Sequence, residues 1–155
     1  MKFEVRVLSP DDVHLMQDLL RMFGEAFNDL DTYTAQAPDR EYLKRLLGGE
    51  SFIALAARKG DAVVGGLVAY ELKKFEQQRS EIYIYDLAVA APHRREGIAT
   101  ALIRCLQRVA RERGAYVIFV QADTADEDLP AITLYTKLGK REHVLHFDID
   151  VDTND

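Results

Sequence analysis

The sequence predicts a mixed α/β (α+β) fold in which helices flank a largely antiparallel central sheet, and three observations carry that expectation. Apolar and polar residues alternate near the amino terminus, and two further strand-like runs lie on either side of Gly60. Apolar residues recur at helical spacing from Val13 to Phe27 and again from Ile98 to Val109. An apolar, aromatic strand then runs through a glycine-bearing turn directly into the second of those helices.

Taken in order, Phe3, Val5 and Val7 form a short strand ending at Ser9-Pro10, where Ser9 or Asp11 can cap a helix. Val13, Met16, Leu19, Leu20, Phe23 and Phe27 set the first helix, through about Asn28. Tyr42, Leu43, Leu46 and Leu47 set a shorter one, ended by Gly48-Gly49. The polar stretch from Asp29 to Pro38 between them is either a substrate-facing rim or a solvated connection. Phe52 to Ala57 and Ala62 to Leu72 flank Arg58-Lys59-Gly60-Asp61, the pattern of an antiparallel hairpin.

The strand Glu81 to Val89 breaks at Pro92, and the helix carrying Ile98, Leu102, Leu106 and Val109 stops near Gly114. Tyr116 to Val120 is a nearly continuous apolar run, as expected of a strand covered on both faces. An acidic loop from Gln121 to Leu129 precedes Pro130, which opens a helix marked by Ala131, Leu134, Tyr135 and Leu138 and closed by Gly139. A last strand is expected over His143 to Ile149. The whole reads as one domain over residues 1–150, with 151–155 an acidic, flexible tail.

The formal net charge of −6 weighs against a sequence-independent grip on nucleic acid, which needs clustered Lys and Arg. It suits a cationic ligand, although an acidic balance is also ordinary for a cytoplasmic protein. Cys105 is the one cysteine, so no internal disulfide or cysteine metal cluster can form, and a reducing cytoplasm is expected. No signal-peptide pattern and no span of membrane-crossing length is read in the chain. His93, His143 and His146 lack a metal-ligand spacing, so no metal is expected. Cys105 lies on the apolar side of its helix, a buried small residue rather than a nucleophile.

The sharpest chemical signal is Arg94-Arg95-Glu96-Gly97-Ile98-Ala99, which together with Thr100 stands at the first turn of a helix. Free backbone N–H groups and the helix dipole favour an anion there, and a pyrophosphate fits. Gly97 lets backbone approach phosphate without a Cβ in the way, and Arg94 and Arg95 add charged donors. From the hexapeptide alone, a basic turn with a glycine for geometry reads the same. Neither the triphosphate-loop pattern nor the dinucleotide pattern G-x-G-x-x-G occurs.

Those residues resemble the Gcn5-related N-acetyltransferase superfamily, whose signature [Q/R]-x-x-G-x-[G/A] is matched from Arg94 to Ala99. The resemblance implies the acyl-coenzyme A N-acyltransferase fold and acetyl-coenzyme A as cosubstrate. It continues through Ala131 to Gly139, similar to the helix whose tyrosine hydroxyl lies beside the coenzyme A sulfur, and so gives Tyr135 that role. From about Met22 to Asp150 the chain further resembles the type I aminoglycoside 3-N-acetyltransferases. Close blocks are Ser51 to Ala57, Lys74 to Gln77, Arg79 to Val89, Leu134 to Gly139 and His146 to Asp150. The likeness weakens in Gln121 to Leu129, which is longer than usual and lacks the aromatic that commonly follows the aspartate.

This likeness implies acetylation of the 3-amino group of 2-deoxystreptamine in gentamicin-like drugs, by a homodimer. The amine must lose a proton before it attacks, and Asp86, on the strand leading to the phosphate turn, is the first candidate base, with Glu81 and Asp123 in reserve. A backbone N–H among Leu87, Ala88 and Val89, where the superfamily's strand bulges or splays, can stabilise the oxyanion. Tyr135 would protonate the departing thiolate. Glu76, Glu81, Asp123, Asp148 and Asp150 are candidates to meet the ammonium groups of the substrate. Two other readings stay open: the same apparatus acting on a polyamine, amino sugar or protein amine, and a non-catalytic acetyl-coenzyme A sensor.

Overall fold

The computed structural model describes residues 2–152, so most of the expected acidic tail over 151–155 lies outside the described residues. By its contacts the chain divides into two compact units, one ending at Gln121 and the other beginning at Ala122. The first holds a five-stranded sheet in the order β1 (Glu4–Val7), β2 (Phe52–Lys59), β3 (Ala62–Lys73), β4 (Ser80–Val89), β5 (Ala115–Val120). Neighbours are antiparallel except β4 and β5, which run parallel through the crossover helix α3 (Ile98–Arg113). Parallel neighbours need such a crossover, whereas β2 and β3 are joined by the tight turn at Gly60, φ +59°.

Helices α1 (Val13–Ala26) and α2 (Arg40–Gly48) cover one face of this sheet. Strand alternation sends Phe52, Ala54, Ala56 and Val68 into that layer, where they bury Leu19, Met22, Phe23, Leu43 and Leu47. The intervening residues Ile53, Leu55, Leu67, Ala69, Ile82 and Ile84 are likewise buried, as are Ile98, Leu102 and Leu106 of α3. Cys105 is buried as expected, and burial pushes its thiol pKa up.

Ser9 does cap the first helical segment, but through a 3-10 turn (Pro10–Asp12) that precedes α1. Asp12 is buried and accepts from the Ser9 N–H at 2.8 Å, while Arg6 Nη2 lies 3.0 Å from its other oxygen. Burial acts to raise the carboxyl pKa, but the Ser9 N–H and the Arg6 guanidinium outweigh it and hold it below the ordinary aspartate value.

The second unit contains a 3-10 turn (Asp126–Asp128) and α4 (Leu129–Leu138), with Pro130 in its first turn and Gly139 after its end, as expected. The last strand expected over His143 to Ile149 is not there: that stretch carries neither helix nor strand, and Leu145, Phe147 and Ile149 are 83%, 76% and 86% exposed. Period-two apolarity marks an amphipathic segment, but a strand exists only through hydrogen bonds to a neighbour, and none is paired with it among the described residues. The expectation that β5 is covered on both faces also fails, since Tyr116 and Val117 stand exposed on what is the edge strand among the described residues. No helix among the described residues is long and apolar enough to cross a membrane.

A depressed folded-state pKa means that Asp12 contributes stability above its unfolded pKa, which is lost as pH falls through the folded one. Asp12→Asn is therefore expected to lower stability in urea unfolding at pH 7 by about 1 kcal/mol. The gap from the wild type should narrow below about pH 4; an equal gap at every pH would contradict the account.

Candidate active site

Strand β4 positions the candidate base. Its register against β3 pairs Val68 with Asp86 but Ala69 with Ile84, so Tyr85 is an extra residue, a β-bulge. In a regular strand neighbouring side chains point to opposite faces. Here the bulge lets both Tyr85 and Asp86 reach the α1 side of the sheet. Tyr85 meets Tyr70 edge-on (5.9 Å between ring centroids) and Tyr83 (6.0 Å), while Asp86 reaches Tyr33, which packs on α1. Resemblance placed the irregularity near Leu87 to Val89; the register shift lies just before them. Those three residues remain paired with β3, whereas β5 pairs β4 only as far as Ile84. Beyond Ile84 the second edge of β4 has no strand partner among the described residues, which leaves backbone groups there for a ligand.

Asp86 is half-buried. Desolvation raises its carboxyl pKa, and a hydrogen bond from the Tyr33 hydroxyl (3.0 Å to Oδ2) partly offsets this. Around it stand Tyr70, Tyr83 and Tyr85, extended by Phe52 beside Tyr70 (5.6 Å) and Phe119 stacked on Tyr83 (4.8 Å, 3° between planes). Burial raises the pKa values of Tyr70 and Tyr83, which keeps both phenols neutral. The result is a wall of aromatic faces beside one carboxylate, suited to a cation carrying a flat or ring-shaped body.

Sequence reasoning missed this wall. Tyr83 and Tyr85 counted only as strand apolarity, and Tyr33 disappeared into a polar loop, though an aromatic ring alone among polar residues was itself a signal that something packs there.

The phosphate-type turn lies past Val89, through a 3-10 turn (Ala91–His93). Gly97 caps α3 with φ +82°, no side-chain cap is made, and the first intrahelical bond is from Ala101 N–H to Gly97 O (3.0 Å). The N–H groups of Ile98, Ala99 and Thr100 therefore precede that bond. The position a Gly97 Cβ would take is open space, so a side chain would obstruct a ligand rather than the protein. Arg95 is also left-handed, φ +66°, and Arg94 Nε donates to Val89 O at 3.1 Å. The Glu96 carboxylate turns to Lys59 and lies 3.7 Å from His93 Nδ1, so only its backbone remains available to an anion. These residues fit a pyrophosphate, and through it coenzyme A.

The remaining expected carboxylates are spread out. Glu76 and Glu81 share the Lys74 ammonium, at 3.2 and 3.3 Å, and Glu81 also accepts from Tyr116 at 2.6 Å. The Tyr116 hydrogen bond, then Lys74, lowers the Glu81 pKa. Glu81 stands five residues before Asp86, roughly 16 Å along a strand. In the second unit Asp123 and Asp150 are exposed, Asp148 pairs with His146 at 2.9 Å, and Tyr135 lies part-exposed on α4.

Gly97→Val is expected to weaken coenzyme A binding at least tenfold in calorimetric titration while destabilising the fold by only about 1–2 kcal/mol from the left-handed backbone. Unchanged affinity would remove the α3 mouth from the site.

Residues 14–140 match the acetyltransferase (GNAT) family. An aminoglycoside acetyltransferase, HMB0005, from an uncultured soil metagenomic sample is 65% identical, with 98% of this chain and 100% of that one covered and a TM-score of 0.96. A second, meta-AAC0020, solved in complex with sisomicin and also from an uncultured soil metagenomic sample, is 30% identical over 97% of both chains, TM-score 0.87. The curated N-acetyltransferase 8B of Rattus norvegicus is 34% identical over 83 residues, 54% of this chain and 36% of that protein, so the chain matches about a third of its length. On the family match and the closeness of these structures, the chain belongs to the acetyltransferase (GNAT) family.

Proposed function

We propose that the protein is an aminoglycoside 3-N-acetyltransferase, which moves the acetyl group of acetyl-coenzyme A to the 3-amino group of 2-deoxystreptamine in gentamicin-like antibiotics and so confers resistance. The observation that carries this reading is the half-buried Asp86 carboxylate set among Tyr33, Tyr70, Tyr83 and Tyr85. Aromatic faces and one carboxylate attract a polycationic sugar, and the 65% identity to an aminoglycoside acetyltransferase supports that substrate class.

Acetyl-coenzyme A, when bound, supplies an acyl group activated as a thioester. The N–H groups of Ile98, Ala99 and Thr100, with Gly97, Arg94 and Arg95, would hold its pyrophosphate. Asp86 takes the proton from the substrate ammonium, since only the free amine has a lone pair with which to attack. A backbone N–H from Leu87 to Val89 stabilises developing negative charge on the acetyl oxygen. Tyr135 holds a phenolic proton at Oη for the leaving sulfur. Holding the two substrates together is worth on the order of 7 kcal/mol, which makes direct transfer in a ternary complex sufficient without an enzyme nucleophile. Glu76, Glu81, Asp123, Asp148 and Asp150 remain the outer contacts for further ammonium groups, and a homodimer belongs to the same proposal.

Asp86→Asn is expected to slow gentamicin acetylation about a hundredfold or more with coenzyme A affinity unchanged, and Tyr135→Phe roughly tenfold through kcat. Initial rates with gentamicin, spermidine and an amino-terminal peptide, with NMR of the product, decide the substrate. Acetyl at N3 supports the reading; turnover confined to peptide or spermidine, or none at all with any amine, overturns it.

A further inference from the structure

The segment read as a polar loop folds at Asp31–Ala35 into a single π-helical turn packed against α1. The approach is close: a Cβ on Gly24 of α1 would lie 3.1 Å from Leu30 Cα and 3.3 Å from Tyr33 Cβ. Thr34 Oγ1 donates to Leu30 O (2.6 Å), and Asp29 N–H to Gly24 O (2.8 Å), which fixes the turn to the helix. Tyr33 then lies against Phe23 (6.0 Å) and Phe27 (5.8 Å), themselves stacked at 5.7 Å, and its hydroxyl crosses to Asp86 Oδ2 at 3.0 Å.

We propose that Tyr33 is a positioning residue for acetyl transfer: its hydroxyl grips one oxygen of the Asp86 carboxylate, orients it, and leaves Oδ1 for the substrate amine. This rests on Asp86 being the base. Burial in such aromatic surroundings strips hydration from the carboxylate and favours its protonated form, the form that cannot accept a proton from the amine. The Tyr33 hydrogen bond opposes that, because donation favours the ionised form. Tyr33 can play this part because its own proton is firmly held: burial, then the Asp86 charge, pushes its pKa far above the ordinary phenol value.

The other groups facing this pair are few. Tyr70 from β3 and Tyr83 from β4 stay neutral, Tyr85 is exposed on the bulge, Asp29 faces Tyr33 from the loop, and Phe23 of α1 and Phe27 just after it pack on the Tyr33 ring. No lysine or arginine acts on the Asp86 carboxyl, so Tyr33 is its one stabilising partner among the described residues.

The test is the pH dependence of kcat/KM for gentamicin in wild type and Tyr33→Phe, which keeps the ring on Phe23 and Phe27. The acidic limb should move upward, so that kcat/KM on that limb falls roughly tenfold at fixed pH, a factor equal to about 1.4 kcal/mol. Incorporating 3-fluorotyrosine at position 33, a stronger donor with the same shape, should move the limb the other way. In parallel, the carbon-13 shift of the Asp86 carboxyl, assigned by its loss in Asp86→Asn, is titrated in both proteins. An upward move in Tyr33→Phe and a downward one with the fluorinated ring support the proposal; an unmoved carboxyl titration overturns it, whatever happens to turnover. Should Asp86→Asn keep wild-type rates, the base assignment fails instead, and the carboxyl titration still reports separately on Tyr33.

Discussion

Register slips by one residue where β4 passes Ala69 and Val68 of β3, and everything chemical on the α1 side of the sheet follows from that slip. Without the extra residue at Tyr85, the strand would send Tyr85 and Asp86 to opposite faces, and a carboxylate on the α3 side would be driven among Ile82, Ile84 and Leu102. An unpaired charge there costs several kcal/mol. The bulge instead gives Asp86 a half-buried place with a hydroxyl to bond, where burial raises its proton affinity and the Tyr33 hydroxyl opposes that rise.

The same strand ends its pairing with β5 at Ile84 but keeps its pairing with β3 to Val89, opposite Gly65. One edge of β4 is therefore held in a ladder, and the other has no strand partner among the described residues at the level of Asp86. Catalysis by positioning needs that combination: donors and acceptors that face a ligand yet are carried on a strand that cannot move to meet it. A loop could supply the groups, but not the fixed distance.

Much of this was legible in the sequence, and what was not has a common cause. The helix that opens at Ile98 and its phosphate-type mouth came from local rules, a glycine without a Cβ among basic residues before a run of helical period, which need no tertiary knowledge. Asp86 stands out as a candidate base through the resemblance to related aminoglycoside acetyltransferases, which carry a proposed base at that place on the strand. That Tyr33 packs somewhere has a signal in the sequence, but its partner does not, because Asp86 lies 53 residues away across a hydrogen bond that no periodicity encodes. The bulge is hidden from the residues alone for a related reason, and only the resemblance placed one, slightly late, at Leu87 to Val89: an extra residue is defined only against a partner strand, and Tyr83-Ile84-Tyr85-Asp86 alternates well enough to hide it. The strand expected at His143 to Ile149 failed from the opposite direction, since its alternation is present but no strand pairs with it among the described residues.

Charge completes the physical case. The chain as a whole is acidic, yet the mouth of α3 gathers Arg94 and Arg95, with Lys59 cancelling Glu96. Eight residues before Arg94, on β4, stands the Asp86 carboxylate facing tyrosine rings. Under the proposed function, the polycationic substrate and the polyanionic cofactor would be drawn to opposite ends of this stretch by fields of opposite sign. Because β3 pairs with β4 through Val89, the separation between the two ends is set by backbone hydrogen bonds rather than by side-chain reach. Under the proposed function, order in the fold becomes order between the reactants: the sheet would fix where the amine loses its proton relative to the turn that would hold the phosphates.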